Sequence, residues 1–190
     1  MIVFCIPYMN FFVIQVRTGK EQDFLKQADQ VLRAPEQRLY WPRRALRIRR
    51  QGVWKDSVAA IFPGYLFLQS ESIPPDLYWA LRRISGFLRY LKDNRHIEAL
   101  NDQDREILLH FLNYGEIVQR SSVYFDENNR IRVVSGPLRG MEGRIVKVDR
   151  RKGRARIRLE LYEDSFMIDF GFDSIEQAPD NPRPAGGRNS

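Results

Sequence analysis

The chain has 190 residues, 43% of them hydrophobic, and a formal charge of +7. That length holds one medium domain or two small ones, and no apolar run approaches the ~20 residues of a membrane-spanning helix. The positive balance favours a polyanionic partner, nucleic acid before anionic membrane. One cysteine, Cys5, excludes an intrachain disulfide and fits a reducing cytoplasm, and two histidines, His96 and His110, are too few for a zinc site.

Residues 1–10 read as an extension or a misassigned start, with Met9 directly before the first convincing strand. Phe11 to Val16 is that strand, aromatic and β-branched. Thr18 and Glu21 have the spacing of a capping box, and the helix behind them repeats apolar residues at Phe24, Leu25, Ala28, Val31 and Leu32 before Pro35. Leu39 to Arg50 carries Arg43, Arg44, Arg47, Arg49 and Arg50 and no carboxylate. Gln51-Gly52 turns this run into a hairpin with Val53-Trp54-Lys55. Such a ribbon is either a solvated edge guarded by arginines or a nucleic-acid contact with Trp41 and Trp54 available for stacking.

Ile61 to Gln69 is an apolar strand with Pro63-Gly64 near its start, a pair that marks an edge, a bulge or a close approach. Phe62, Tyr65 and Phe67 crowd around it. They read either as ordinary core or as an aromatic-lined groove for an apolar partner. Pro75 opens a second helix, Phe87 to Leu91 is a further strand, and Asn101 caps a third helix closed by Gly115. Phe87 and Leu91 are expected on the sheet face used by Tyr65 and Phe67. Residues 11–115 thus make an α+β domain with an antiparallel-rich sheet.

From 116 to 129 the periodicity lapses, and this stretch reads as a linker. Residues 130–178 have strand period throughout, which predicts a small all-β barrel. Arg154-Ala155-Arg156-Ile157-Arg158-Leu159-Glu160-Leu161 alternates strictly. Gly136, Gly140 and Gly143 would permit its tight turns, and Arg150, Arg151 and Lys152 lie in a hairpin turn beside an outer stripe of Arg154, Arg156 and Arg158. The stripe is either the polar exterior any small barrel needs or a contact for phosphates or an acidic protein. Residues 179–190, rich in Pro, Gly and Asn, read as a disordered tail. No Walker-type loop, nucleophile elbow or His-Glu-x-x-His is present, so no enzyme, cofactor or metal is expected.

Phe62-Pro63-Gly64-Tyr65-Leu66-Phe67 resembles the signature strand of the NusG family of transcription elongation factors. Ser85-Gly86-Phe87-Leu88-Arg89 fits the same amino-terminal domain. Gly136-Pro137-Leu138-Arg139-Gly140-Met141-Glu142-Gly143 resembles the family's KOW motif. The resemblance runs from Phe11 to Glu176 and implies an NGN-like domain followed by an SH3-like barrel.

It also implies a monomeric, cytoplasmic factor whose patch of Phe62, Pro63, Gly64, Tyr65, Phe67 and Phe87 docks on the clamp helices of the largest RNA polymerase subunit. Nascent RNA or upstream DNA, other elongation factors and a ribosomal protein are the further partners implied; a membrane is not. General members carry an Ile-Phe-Gly-Arg-like turn where this chain has Leu161-Tyr162-Glu163-Asp164. Tyr162 keeps the aromatic, but loss of the Gly-Arg pair argues against Rho and ribosome coupling. Tyr40-Trp41-Pro42-Arg43-Arg44 and the arginine ribbon look closer to specialised antiterminators of the LoaP type, which act on long operons. The alternatives are a general NusG-type factor and a KOW module that binds RNA or ribosomes without polymerase.

Overall fold

A computed structural model describes residues 10–91, 97–162 and 164–175. The expectations of a misassigned start at Met9 and of a disordered tail fall outside them, as does Glu163.

The aromatic run β1 (Asn10–Val16) is the spine of a four-stranded sheet. It pairs antiparallel with β5 (Tyr65–Ser70) on one side and β6 (Phe87–Tyr90) on the other, and β2 (Arg38–Tyr40) adds to β5. Period two sends Ile14, Leu66 and Leu68 to one face, where they pack with Phe24 of α1 (Glu21–Ala28) and Leu77 and Leu81 of α2 (Pro75–Arg82). Phe11, Val13, Tyr65 and Phe67 take the other face, with Ile107, Leu108 and Phe111 of α3 (Asp102–Leu112). Asn101 caps α3, its side chain accepting the Asp104 N–H at 2.8 Å.

The arginine ribbon is a hairpin of β3 (Arg43–Arg50) and β4 (Val53–Ala60). Gln51 and Gly52 both have positive φ, as a two-residue turn of matching twist requires.

The carboxy-terminal unit is a curled five-stranded sheet, SH3-like, in the order β10-β11-β12-β8-β9. These strands are β8 (Ser121–Phe125), β9 (Ile131–Ser135), β10 (Ile145–Asp149), β11 (Arg154–Leu161) and β12 (Asp164–Ser174). Ala155, Ile157, Leu159 and Leu161 are buried, and the alternating charged residues of β11 lie outside.

Four expectations are corrected here. The stretch 116–129 is not a plain linker: β7 (Ile117–Val118) pairs parallel with β3, and β8 pairs parallel with β12. Thr18 is not a cap. Lys20 stands at the α1 start, and the buried Glu21 carboxylate accepts the N–H groups of Gly19 at 2.6 Å and Gly64 at 2.8 Å. Pro63-Gly64 is not a kink inside a strand, because Ile61 to Gly64 turns before β5 begins. Gly64 has a φ of +80°, and a Cβ there would meet Thr18 Oγ1 at 2.9 Å and Val16 O at 3.1 Å, so glycine is required twice over. Gly143, by contrast, has ordinary φ and open space around it, and only Gly136 and Gly140 of the motif need positive φ.

Candidate functional site

Phe62, Tyr65 and Phe67 come together as expected, with Phe62 and Phe67 edge to face at 5.6 Å. They do not line an open groove. Phe166 of β12 stands edge-on to Phe62 at 5.5 Å and to Tyr65 at 5.6 Å. Phe62, Tyr65 and Phe67 are 1%, 8% and 0% exposed. The Tyr65 hydroxyl donates to the Asp164 carboxylate at 3.5 Å. Burial, and then the Asp164 charge, push the Tyr65 pKa above its ordinary value.

Phe87 does not belong to this set. A bulge in the β1–β6 ladder puts Phe87 opposite Val16, on the α1/α2 face, where it packs on Tyr90 at 5.2 Å. Leu91 does reach the Tyr65 face.

The seam between the two units continues around the aromatics. Phe111 of α3 stacks on Phe170 of β12 at 5.2 Å, and His110 Nε2 lies 2.8 Å from the Pro137 carbonyl. Tyr162, expected to face an outside partner, is turned inward. Its N–H donates to Asp104 at 3.2 Å and its hydroxyl to the Glu98 carbonyl at 3.0 Å. Burial, then the charges of Asp104 and Glu98, push its pKa up to about 12. One buried cluster runs from Phe11, Val13 and Phe67 through Phe111 into Ile157, Leu159 and Phe170.

The arginines divide. Arg44 is half-buried in the seam, donating to the carbonyls of Ala60 and Asp169, and loss of solvation lowers its pKa to about 10. Arg43 lies over the Trp41 ring at 4.7 Å and 3.8 Å from Glu116. Neither is free for a phosphate. Arg47, Arg49 and Arg50 are exposed, although Arg49 also donates to the Gly52 carbonyl.

In the barrel, Arg156 grips Asp169 through two bonds of 2.7 and 3.1 Å, and this holds the Asp169 carboxyl below the usual range. Arg150 lies 3.6 Å over the Phe125 ring. The Gly136-Pro137 turn is fixed by Ser121, whose hydroxyl accepts the Leu138 N–H at 3.0 Å. A Cβ on Gly136 would sit 2.7 Å from Ser121 Cα.

The part of Phe166, Phe170, Phe111 and Asp104 in the seam is what sequence reading missed. Alternation marks Phe166 and Phe170, and helical spacing Phe111, as apolar-face residues, but burial against the other unit looks the same as burial within one, and Asp104 carried no signal. Among the described residues, no group of three or more His, Cys, Asp or Glu side chains could hold a metal ion, and no helix is long and apolar enough to cross a membrane.

The profile of a family described as "Transcription termination factor nusG" matches residues 9–109, more than half of the chain. The chain belongs to the NusG family. A KOW motif profile matches residues 127–160. NusG, the transcription termination/antitermination protein of Borreliella burgdorferi, is 22% identical over 140 residues, 69% of this chain and 71% of that protein. Its Thermus thermophilus counterpart is 25% identical over 136 residues, 68% and 74% of the two chains. Among solved structures, one titled "Domain interaction in Thermotoga maritima NusG" matches with a TM-score of 0.55 at 14% identity, covering 86% of this chain and 93% of that one. At that identity the match speaks to the NusG fold.

Proposed function

We propose that this NusG-family chain is an elongation or antitermination factor that docks on RNA polymerase through Phe62, Tyr65 and Phe67, against the clamp helices of the largest subunit. The observation that carries the reading is the aromatic face itself. Three aromatics of the family's signature segment are held by a glycine turn and a buried carboxylate, and capped by one residue of a second unit, Phe166. Buried aromatic anchors are the usual hot spots of an interface.

Docking then requires the barrel to leave. The closed arrangement is a competitor for the polymerase, and the apparent affinity is the intrinsic affinity reduced by the open fraction. With the barrel gone, Tyr162 is released as well and becomes available to a second partner, such as another elongation factor. By holding the polymerase clamp the factor suppresses pausing and termination; it shifts conformational populations and leaves catalysis to the polymerase. The exposure of Arg47, Arg49 and Arg50 supports these ribbon residues as the contacts for nascent RNA or upstream DNA.

The departure at Tyr162-Glu163-Asp164 and the arginine-rich ribbon favour a specialised factor serving particular operons over a general one. Run-off transcription on a long leader template with intrinsic terminators tests this. Read-through should rise on the cognate leader only, and equal read-through on unrelated templates would assign the general role.

A further inference from the structure

The closed arrangement does more than cover the aromatic face. It brings the tip of the β3–β4 ribbon against the β10–β11 turn of the barrel. Arg47 and Trp54 from the ribbon, Arg120 from the segment between β7 and β8, and Arg150, Arg151 and Lys152 from the turn line one cleft of about 230 Å³. The two sides are tied by Arg154, which donates to the Arg47 carbonyl at 3.0 Å.

Five cationic side chains therefore meet one carboxylate in this cleft. Asp173 is already taken by Arg120 at 2.7 Å. Of the other nearby carboxylates, Asp56 is 95% exposed and 3.9 Å from Arg47, and Asp149 is 3.6 Å from Lys152. Exposed pairs of this kind hold their cations weakly. Trp54 is 38% exposed and offers a stacking surface at the edge. Clustered cations beside an accessible indole suit a phosphodiester backbone with an unpaired base laid on the ring.

We propose that this cleft is a binding site for single-stranded nucleic acid that exists only while the two units are closed, so that an occupying strand holds the barrel over Phe62, Tyr65 and Phe67. This rests on the ribbon being a nucleic-acid contact and not on the polymerase reading. Arg47 and Trp54 come from the ribbon and Arg150, Arg151 and Lys152 from the barrel turn, so separating the units takes the indole and one guanidinium away from the other cations. A ligand that binds only the closed form stabilises it by mass action, and the linkage is reciprocal. A strand held in the closed cleft and any partner of the aromatic face are therefore antagonists, whereas the ribbon arginines alone stay open to nucleic acid after the units part.

The test uses the full chain and fluorescent RNA and DNA single strands of about ten nucleotides, a length within the usual site size. Affinity is measured across a salt series. Each cation lost should flatten the slope by roughly 0.7. Arg47→Ser with Arg151→Ser should weaken binding about tenfold or more in the wild-type background. Trp54→Ala should cost about tenfold, and Trp54→Phe much less. Phe166→Ala, which lies outside the cleft, should weaken binding as well, and in that background the two arginine changes should no longer act together.

A second measurement needs no variant: a bound strand should slow amide exchange at Tyr162 and Phe166. Binding by RNA alone would mark a transcript as the ligand, and binding by DNA alone a displaced strand; either upholds the site. Equal affinity in wild type and Phe166→Ala, unchanged exchange, or no binding to either strand at low salt would overturn it. Polymerase binding, assayed separately without nucleic acid, would still report on the docking reading.

Discussion

Tyr162 adopts a left-handed backbone with φ of 52°, a conformation that costs a non-glycine residue on the order of 1 kcal/mol. Two hydrogen bonds across the seam hold it there. Its hydroxyl stays protonated in the closed state because burial disfavours a phenolate, and the charges of Asp104 and Glu98 add to this. The folded pKa is raised above the unperturbed value near 10. Its contribution to closure is therefore complete below about pH 10 and lost as pH rises through about 12. Spectrophotometric titration of wild type and Tyr162→Phe should differ by one late-ionising tyrosine. If every tyrosine in the difference spectrum titrated near its ordinary value, Tyr162 would not be sealed in the seam. The sequence marked Tyr162 as special through the turn it occupies. It could not say that the aromatic faces inward, since that depends on Asp104, 58 residues earlier.

Among the elements, several local signals carried well, although the Thr18–Glu21 spacing did not, because Glu21 turns to the Gly64 N–H instead. The cap at Asn101, the proline opening α2 and the Gln51-Gly52 turn stand where their chemistry puts them. The strict alternation of β11 fixes which residues are buried. Signals that depend on a partner strand were not legible. β7 is two residues long and owes its existence to β3, more than sixty residues earlier along the chain. A bulge reversed the parity that placed Phe87 with Tyr65. The KOW glycines make the same point within one motif. Gly136→Ala forces a Cβ against the Ser121 backbone at positive φ and should destabilise the barrel by about 2 kcal/mol or more. Gly143→Ala meets nothing and should be neutral or slightly stabilising, within about 1 kcal/mol. Urea midpoints for the two variants check this, and equal losses would contradict the account of the turn.

Across the whole molecule, a buried cluster shared by both units implies that they unfold together. Calorimetry of the wild type should show one cooperative transition, and Phe166→Ala should broaden or split it. Two well-separated transitions in the wild type would mean the seam contributes little. The resemblance named two partner surfaces, an aromatic face and a barrel turn, each imagined as open. The fold sets them against one another, which no motif could reveal because each motif describes its own unit.

The most direct test is polymerase affinity with the seam loosened. Removing the Phe166 ring should take about 1–2 kcal/mol from closure, through lost apolar burial and two edge-to-face contacts. Binding of core polymerase, measured by surface immobilisation without nucleic acid, should then tighten by roughly tenfold for Phe166→Ala over wild type. Adding Tyr65→Ala to that variant should remove the gain and at least about 2 kcal/mol of affinity. Unchanged affinity in both variants would contradict the claim that this aromatic face, uncovered by the barrel, is what the polymerase receives.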